Sequence, residues 1–316
     1  MLVVSTLVGV SGSPAGAWSS GDGAVAVFGS TGDDEALSVA VDSSGNVYTA
    51  GYFTGTVDFD PGAGTANLTS NGGIDVFVSK LDSSGNYVWA KSFGGTGTDE
   101  GNSVAVDSSG NVYTTGQFVL TVDFDPGAGT AELTADNTDV FVSKLDSSGN
   151  YVWARNFGSN GISGEQGKSV TVDSSGNVYT TGEFSDTADF DPGAGTTNLT
   201  SNGGGRDVFV LKLDSSGDLV WAKNFGGNAT GHSVAVDSSG NVYTTGSFSG
   251  TGDFDPGAGT TNLTSNGGIT DVFVSKLDSS GNLVPAVGPG FTLSTTSVSV
   301  SESGTTATFT VVLDAQ

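Results

Sequence analysis

The chain has 316 residues, with 51 glycines, 7 prolines and no cysteine. That composition suits many short strands joined by tight turns, and it excludes a disulfide framework, a thiolate metal site and a cysteine nucleophile. Nine Lys plus Arg against 34 Asp plus Glu leave a net charge of -25, which repels nucleic-acid phosphates and anionic lipid surfaces and attracts cationic ligands.

From the N-terminus, the apolar run Leu2 to Val10 is followed by Ser-Pro and then Ala15-Gly16-Ala17, an A-x-A pattern of the kind cut by signal peptidases. Residues 1–17 are therefore expected to be a signal peptide, with a mature start at Trp18 and a secreted, extracellular or cell-surface location. No apolar stretch long enough to span a membrane follows. Residues 23–29 read as an extra strand, with Phe28 matching Phe93. The expectation is that this strand completes the last blade and closes a ring, pairing Val25 and Val27 with Val272 and Val274.

Self-similarity then governs the chain. VDSSGNVY begins at Val41, Val106, Val172 and Val236, about every 65 residues. DFDPGAGT begins at Asp58, Asp123, Asp189 and Asp253, and DVFV with KLDSSG at Asp75, Asp139, Asp207 and Asp271. In the second copy, Ser103 to Val106 and Asn111 to Gly116 read as two strands joined by an Asp-Ser-Ser-Gly turn, in which Gly supplies positive φ and Asp bonds the turn backbone. Asp139 to Leu145 and Tyr151 to Phe157 read as the third and fourth strands, again joined by Asp-Ser-Ser-Gly. Thr121 to Thr134 between them reads as a protruding hairpin turning at Pro126-Gly127-Ala128-Gly129. The fold expected is all-β: a β-propeller of four repeated four-stranded blades over 18–288, with blades about 36–95, 101–158, 167–227 and 231–288. Pro285, standing where the other copies have Trp89, Trp153 and Trp221, weakens the last fourth strand. The tryptophans, one per copy on a regular strand, read as packing between neighbouring blades.

SVAVDSSGNVYTTG together with DVFVSKLDSSGNYVWAKSFGG resembles the SBBP-type propeller repeats of bacterial secreted proteins and, more distantly, NHL repeats; the resemblance covers about Gly23 to Val287. It implies a propeller and no particular substrate. Residues 289–316, containing FTLSTTSVSVSESGTTATFTVVLDAQ, resemble the opening two strands of a Calx-beta domain, a truncated β-sandwich segment. That resemblance places Glu302 at a calcium-ligand position of the family and implies that the chain is a fragment of a larger surface protein.

The most pointed chemistry is Asp-Phe-Asp-Pro-Gly. A strand puts Asp58 and Asp60 on one face, about 7 Å apart, where a hard cation would relieve their repulsion. Asp123 with Asp125, Asp189 with Asp191, and Asp253 with Asp255 repeat the pair. These eight residues are candidate calcium ligands; the alternative is that they cap the Pro-Gly turn. Glu35, Glu100, Glu165 and His232 are the set a channel-centred hydrolase or lyase would use, and no Ser-His-Asp pattern surrounds His232. The function expected is a non-catalytic scaffold or interaction module that displays repeated hairpins to an unidentified protein or glycan. The alternatives are a calcium-dependent adhesin and the channel enzyme.

Overall fold

A computed structural model describes residues 26–159, 164–202, 205–267 and 270–285. The expected signal peptide at 1–17, the Calx-beta-like segment at 289–316 with Glu302, and Val25 lie outside the described residues. The chain divides into one unit ending at Leu283 and a second, Val284–Gln316; the fold below is that of the first.

The described residues form a four-bladed, all-β propeller. Blade 1 comprises β1 (Glu35–Val41), β2 (Val47–Phe53), β3 (Thr56–Asp58), β4 (Asn67–Thr69), β5 (Asp75–Leu81) and β6 (Tyr87–Phe93). Blade 2 comprises β7 (Glu100–Val106), β8 (Val112–Asp123), β9 (Glu132–Leu145) and β10 (Tyr151–Phe157). Blade 3 comprises β11 (Gln166–Val172), β12 (Val178–Phe184), β13 (Thr187–Asp189), β14 (Asn198–Thr200), β15 (Asp207–Leu213) and β16 (Leu219–Phe225). Blade 4 comprises β17 (Ala229–Val236), β18 (Val242–Phe248), β19 (Thr251–Asp253), β20 (Asn262–Thr264) and β21 (Asp271–Leu277). The first three blades are antiparallel four-stranded meanders, β1-β2-β5-β6, β7-β8-β9-β10 and β11-β12-β15-β16.

Each residue type in VDSSGNVY has a local role. Asp42 Oδ1 accepts the backbone N–H groups of Ser44 and Asn46, both at 2.9 Å, while Asn46 Nδ2 and the Tyr48 hydroxyl donate to Oδ2 at 2.7 and 3.1 Å. Gly45 sits at φ +82, the left-handed conformation that a side chain disfavours. The same hydrogen bonds recur at Asp107, Asp173 and Asp237.

Most of the hydrophobic core lies between blades. Tyr48, Val76, Val78 and Trp89 of blade 1 pack with Val104, Val112, Phe124 and Phe141 of blade 2. Equivalent clusters join blade 2 to blade 3 and blade 3 to blade 4. The Trp89 indole N–H donates to Ser147 O of the next blade at 3.2 Å; Trp153 and Trp221 reach Ser215 O and Ser279 O in the same way. The tryptophans are thus joints between blades, as the sequence indicates.

Three expectations need correction. The hairpin does pair Thr121, Val122 and Asp123 with Thr134, Leu133 and Glu132, but its base does not protrude. Val122 and Phe124 are buried, and Phe124 lies against Phe93, Phe118 and Phe141; the tip, 127–130, is exposed, as are Thr121, Glu132 and Thr134 on the outward face. Among the described residues blade 4 is a three-stranded sheet, β17-β18-β21; Leu283 bridges to Leu277, and Pro285 beyond it has no N–H to donate. Among the described residues the ring closure is absent: 26–29 form no strand, and Val27, Val272 and Val274 are 81%, 77% and 75% exposed.

The hairpin enters each blade through a residue with positive φ: Gly55 at +65, Leu120 at +62, Asp186 at +60 and Gly250 at +74. Leu120 is exposed and bears the steric cost of the left-handed region, about 1–2 kcal/mol, without burying its side chain. Part of the gain from glycine is offset by the freer unfolded chain, about 0.5–1 kcal/mol. Leu120→Gly is therefore expected to stabilise the protein by about 0.5 kcal/mol, read as a higher urea midpoint with unchanged slope.

Candidate functional site

Between blades 2 and 3 lies a cleft of about 590 Å³, lined by Asp136, Asp139, Asp189, Asp191, Asn156 and Asn198 among others. Among the described residues, no Lys, Arg or His lines it. The repeat architecture produces the cleft directly: Asp139 opens the third-strand segment of one blade, while the hairpin of the next blade brings Asp189 and Asp191 to the same rim. An antiparallel bridge between Gly158 and Asp189 fixes the two sides.

The carboxylates differ sharply in environment. Asp189 Oδ1 accepts the backbone N–H groups of Asp191 and Thr197 at 3.0 and 2.8 Å, and Asp191 Oδ1 accepts Gly193 N–H at 2.8 Å. These are turn-capping bonds. They recur for Asp58 with Asp60, Asp123 with Asp125, and Asp253 with Asp255. Backbone donors from Ala66 and Asp60 hold the Asp58 carboxyl below its ordinary range. Among the described residues, no three of Asp, Glu, His and Cys come together closely enough to hold a metal ion. The eight Asp residues singled out from the sequence thus fall into four separate turns, each pair engaged by the backbone.

A second set of acids is buried. Asp139 is 5% exposed; its Oδ2 accepts from Asn156 Nδ2 at 2.8 Å and its Oδ1 meets no donor. Burial pushes its pKa up to about 6. Asp75 and Asp207, at the same place in blades 1 and 3, are raised to about 6 by the same cause. Glu165, also buried, accepts from Ser159 Oγ at 2.6 Å on Oε1. Burial, with a smaller contribution from the charge of Asp139, pushes Glu165 up to about 7. Asp75, Asp139 and Asp207 escaped the sequence reading because DVFV looks like an ordinary strand; their only signal was Asp at the head of an otherwise apolar third strand.

The members of the channel set each hold a different partner. Glu35 accepts from the Tyr52 hydroxyl at 2.6 Å, which with burial raises that phenol to about 12. Glu100 accepts from Gln117 Nε2 at 3.0 Å, and His232 Nε2 lies 3.0 Å from Ser247 Oγ. Strand register separates Glu165 from the others: opposite Glu183, where Glu35 faces Tyr52 and Glu100 faces Gln117, stands Gln166. Glu165 lies one residue earlier and faces inward. In blade 4 that row holds Thr230, whose hydroxyl donates to Glu183 Oε2 of blade 3 at 2.6 Å.

Residues 88–117, 152–183 and 220–254 match the SBBP beta-propeller repeat. Each match begins on a blade's last strand and runs into the first two strands of the next blade, so the matched unit straddles a joint. An uncharacterized WD repeat-containing protein L264 of Acanthamoeba polyphaga mimivirus is 28% identical over 214 residues. The alignment covers 60% of this chain and 15% of that protein.

Two outcomes test these assignments. Asp123→Ala removes the acceptor for the Asp125 and Ala131 N–H groups and is expected to cost about 1–3 kcal/mol in urea unfolding; Asp123→Asn, which keeps an acceptor oxygen, costs less. The buried acids act in the opposite sense with pH. Their folded pKa values lie above the unfolded ones, so their contribution to stability is full below about pH 4 and is lost as pH rises through about 6 to 7. Thermal midpoints are expected to fall between pH 5 and pH 8, and Glu165→Gln to flatten the upper part of that decline.

Proposed function

We propose that the chain is a non-catalytic interaction module whose cleft between blades 2 and 3 takes a cationic segment of a partner protein. The observation that carries this reading is a cleft of about 590 Å³ with four carboxylates on its lining, in a chain of net charge -25. Such a surface speeds encounter with a positive partner and disfavours negative ones. The match to propeller repeats supports an interaction module, since this architecture presents loops and clefts from a rigid frame. A non-catalytic role is supported by the way Glu35 and Glu100 are each engaged by a neighbour in their own blade.

The test is calorimetric titration with a lysine-rich peptide at low and at moderate salt. Binding is expected to weaken as salt rises, and Asp136→Asn with Asp191→Asn to weaken it by about tenfold or more. Binding that ignores both changes would remove the cleft from consideration. Salt-insensitive binding of a neutral oligosaccharide in its place would turn the reading toward a glycan.

A further inference from the structure

The two outer faces of the blade series are the two halves of a joint that the chain already builds three times. At each internal joint, the blade in front presents two valines of its third strand: Val76 and Val78, Val140 and Val142, Val208 and Val210, all fully buried. The blade behind presents its first strand, with Val104, Val170 and Val234 only 5–6% exposed. At the series' ends the equivalents are bare. Val272 and Val274 of β21 are 77% and 75% exposed, and Val39 and Val41 of β1 are 64% and 60% exposed.

The polar part of the joint is split in the same way. At each internal joint a first-strand serine accepts a backbone N–H from the next blade: Val104 N–H to Ser38 Oγ at 3.1 Å, Val170 N–H to Ser103 Oγ at 3.1 Å, and Val234 N–H to Ser169 Oγ at 3.2 Å. Blade 4 presents the next acceptor, Ser233 Oγ, and blade 1 the next donor, Val39 N–H.

Phe28 supplies a third correspondence. Phe93, Phe157 and Phe225 end the fourth strands of blades 1 to 3, and each ring lies 5.1–6.1 Å from a hairpin phenylalanine of the following blade, Phe124, Phe190 and Phe254 respectively. Phe28 makes the same contact with Phe59, at 5.6 Å. Blade 1 therefore carries, already seated, the residue that ends a preceding blade's fourth strand, and among the described residues blade 4 is the sheet without that strand beside β21.

We propose that a second copy of this chain docks head to tail, its β1 face and Phe28 segment on the β17-β18-β21 face of the first. Residues 26–28 of the incoming copy then lie along the free edge of β21, in the register by which Phe93 pairs with Val76, so that Phe28 stands opposite Val272. An unpaired strand edge beside exposed valines is a template for such pairing. The interface is heterologous, and two copies with two such joints close a ring of about eight blades, within the range propellers adopt. Pro285 provides no indole N–H where Trp89, Trp153 and Trp221 bond across the internal joints, so this joint is weaker than those within the chain.

The experiment is sedimentation equilibrium of the full chain, of Val272→Asp with Val274→Asp, and of Val39→Asp with Val41→Asp, with circular dichroism confirming that each folds. The unaltered chain is expected to dimerise, and each double variant alone to associate ~100-fold more weakly or worse. Mixed together, the two variants are expected to recover a one-to-one complex, because each retains the half the other has lost. A monomer at every concentration would overturn the proposal, as would a dimer that either variant forms alone as readily as the unaltered chain. For a variant that fails to fold, Val272→Ser with Val274→Ser and Val39→Ser with Val41→Ser give the same comparison with a smaller loss.

Discussion

Every other feature of the molecule depends on apolar packing between neighbouring blades. A four-stranded sheet with valines, tyrosines and phenylalanines on both faces cannot bury either face by itself. Stacking one sheet against the next gives each face a partner, which is why the tryptophan hydrogen bonds sit at the joints and why the phenylalanine clusters within each blade reach across them. Burial of apolar area is the largest favourable contribution available to such a chain. In a series of like units, stability is then a sum over units and over the joints between them.

The polar chemistry follows from that packing. The Asp-Phe-Asp hairpin folds down because its Val or Ala and its Phe belong to the joint, and the carboxylates on the opposite face are left to bind the backbone of the turn. Asp75 and Asp207 begin strands, and Asp139 the matching part of β9, that run directly into the joint, so they lose solvent and their pKa values rise. Two populations of acids result from one repeated sequence. Turn carboxylates are engaged by backbone donors, and joint carboxylates are held near neutrality by burial. The cleft between blades 2 and 3 has both kinds on its walls.

The ends of the series show the same rule from the other side. Valines at the same position in the repeat are fully buried in blades 1 to 3 and about three-quarters exposed in blade 4. The residues are alike; the neighbour is what differs. Position in the array, more than residue type, sets the exposure of each face, and this makes the first and last faces complementary.

The sequence by itself determined the blades. Strand positions, the Asp-Ser-Ser-Gly turns, the hairpin register and the joint role of the tryptophans all follow from short-range rules, alternation of apolar residues, positive φ at glycine and carboxylates bonding nearby N–H groups, which act within a few residues. Pro285 likewise marked in advance the place where the described part of blade 4 stops at three strands. Tertiary structure alone decided how the units meet. Glu165 could be aligned with Glu100 by eye, yet strand register gives that place to Gln166 and turns Glu165 inward. The Asp pairs were legible as turn caps or as cation ligands, and only the fold placed one pair opposite the buried Asp139 to make a cleft. Ring closure read plausibly from the match of Phe28 to Phe93, and Phe28 does sit where that match puts it, against Phe59. Whether the last blade meets it depends on how three successive joints rotate the chain, a sum of small angles set by side-chain packing over long separations that no local pattern encodes.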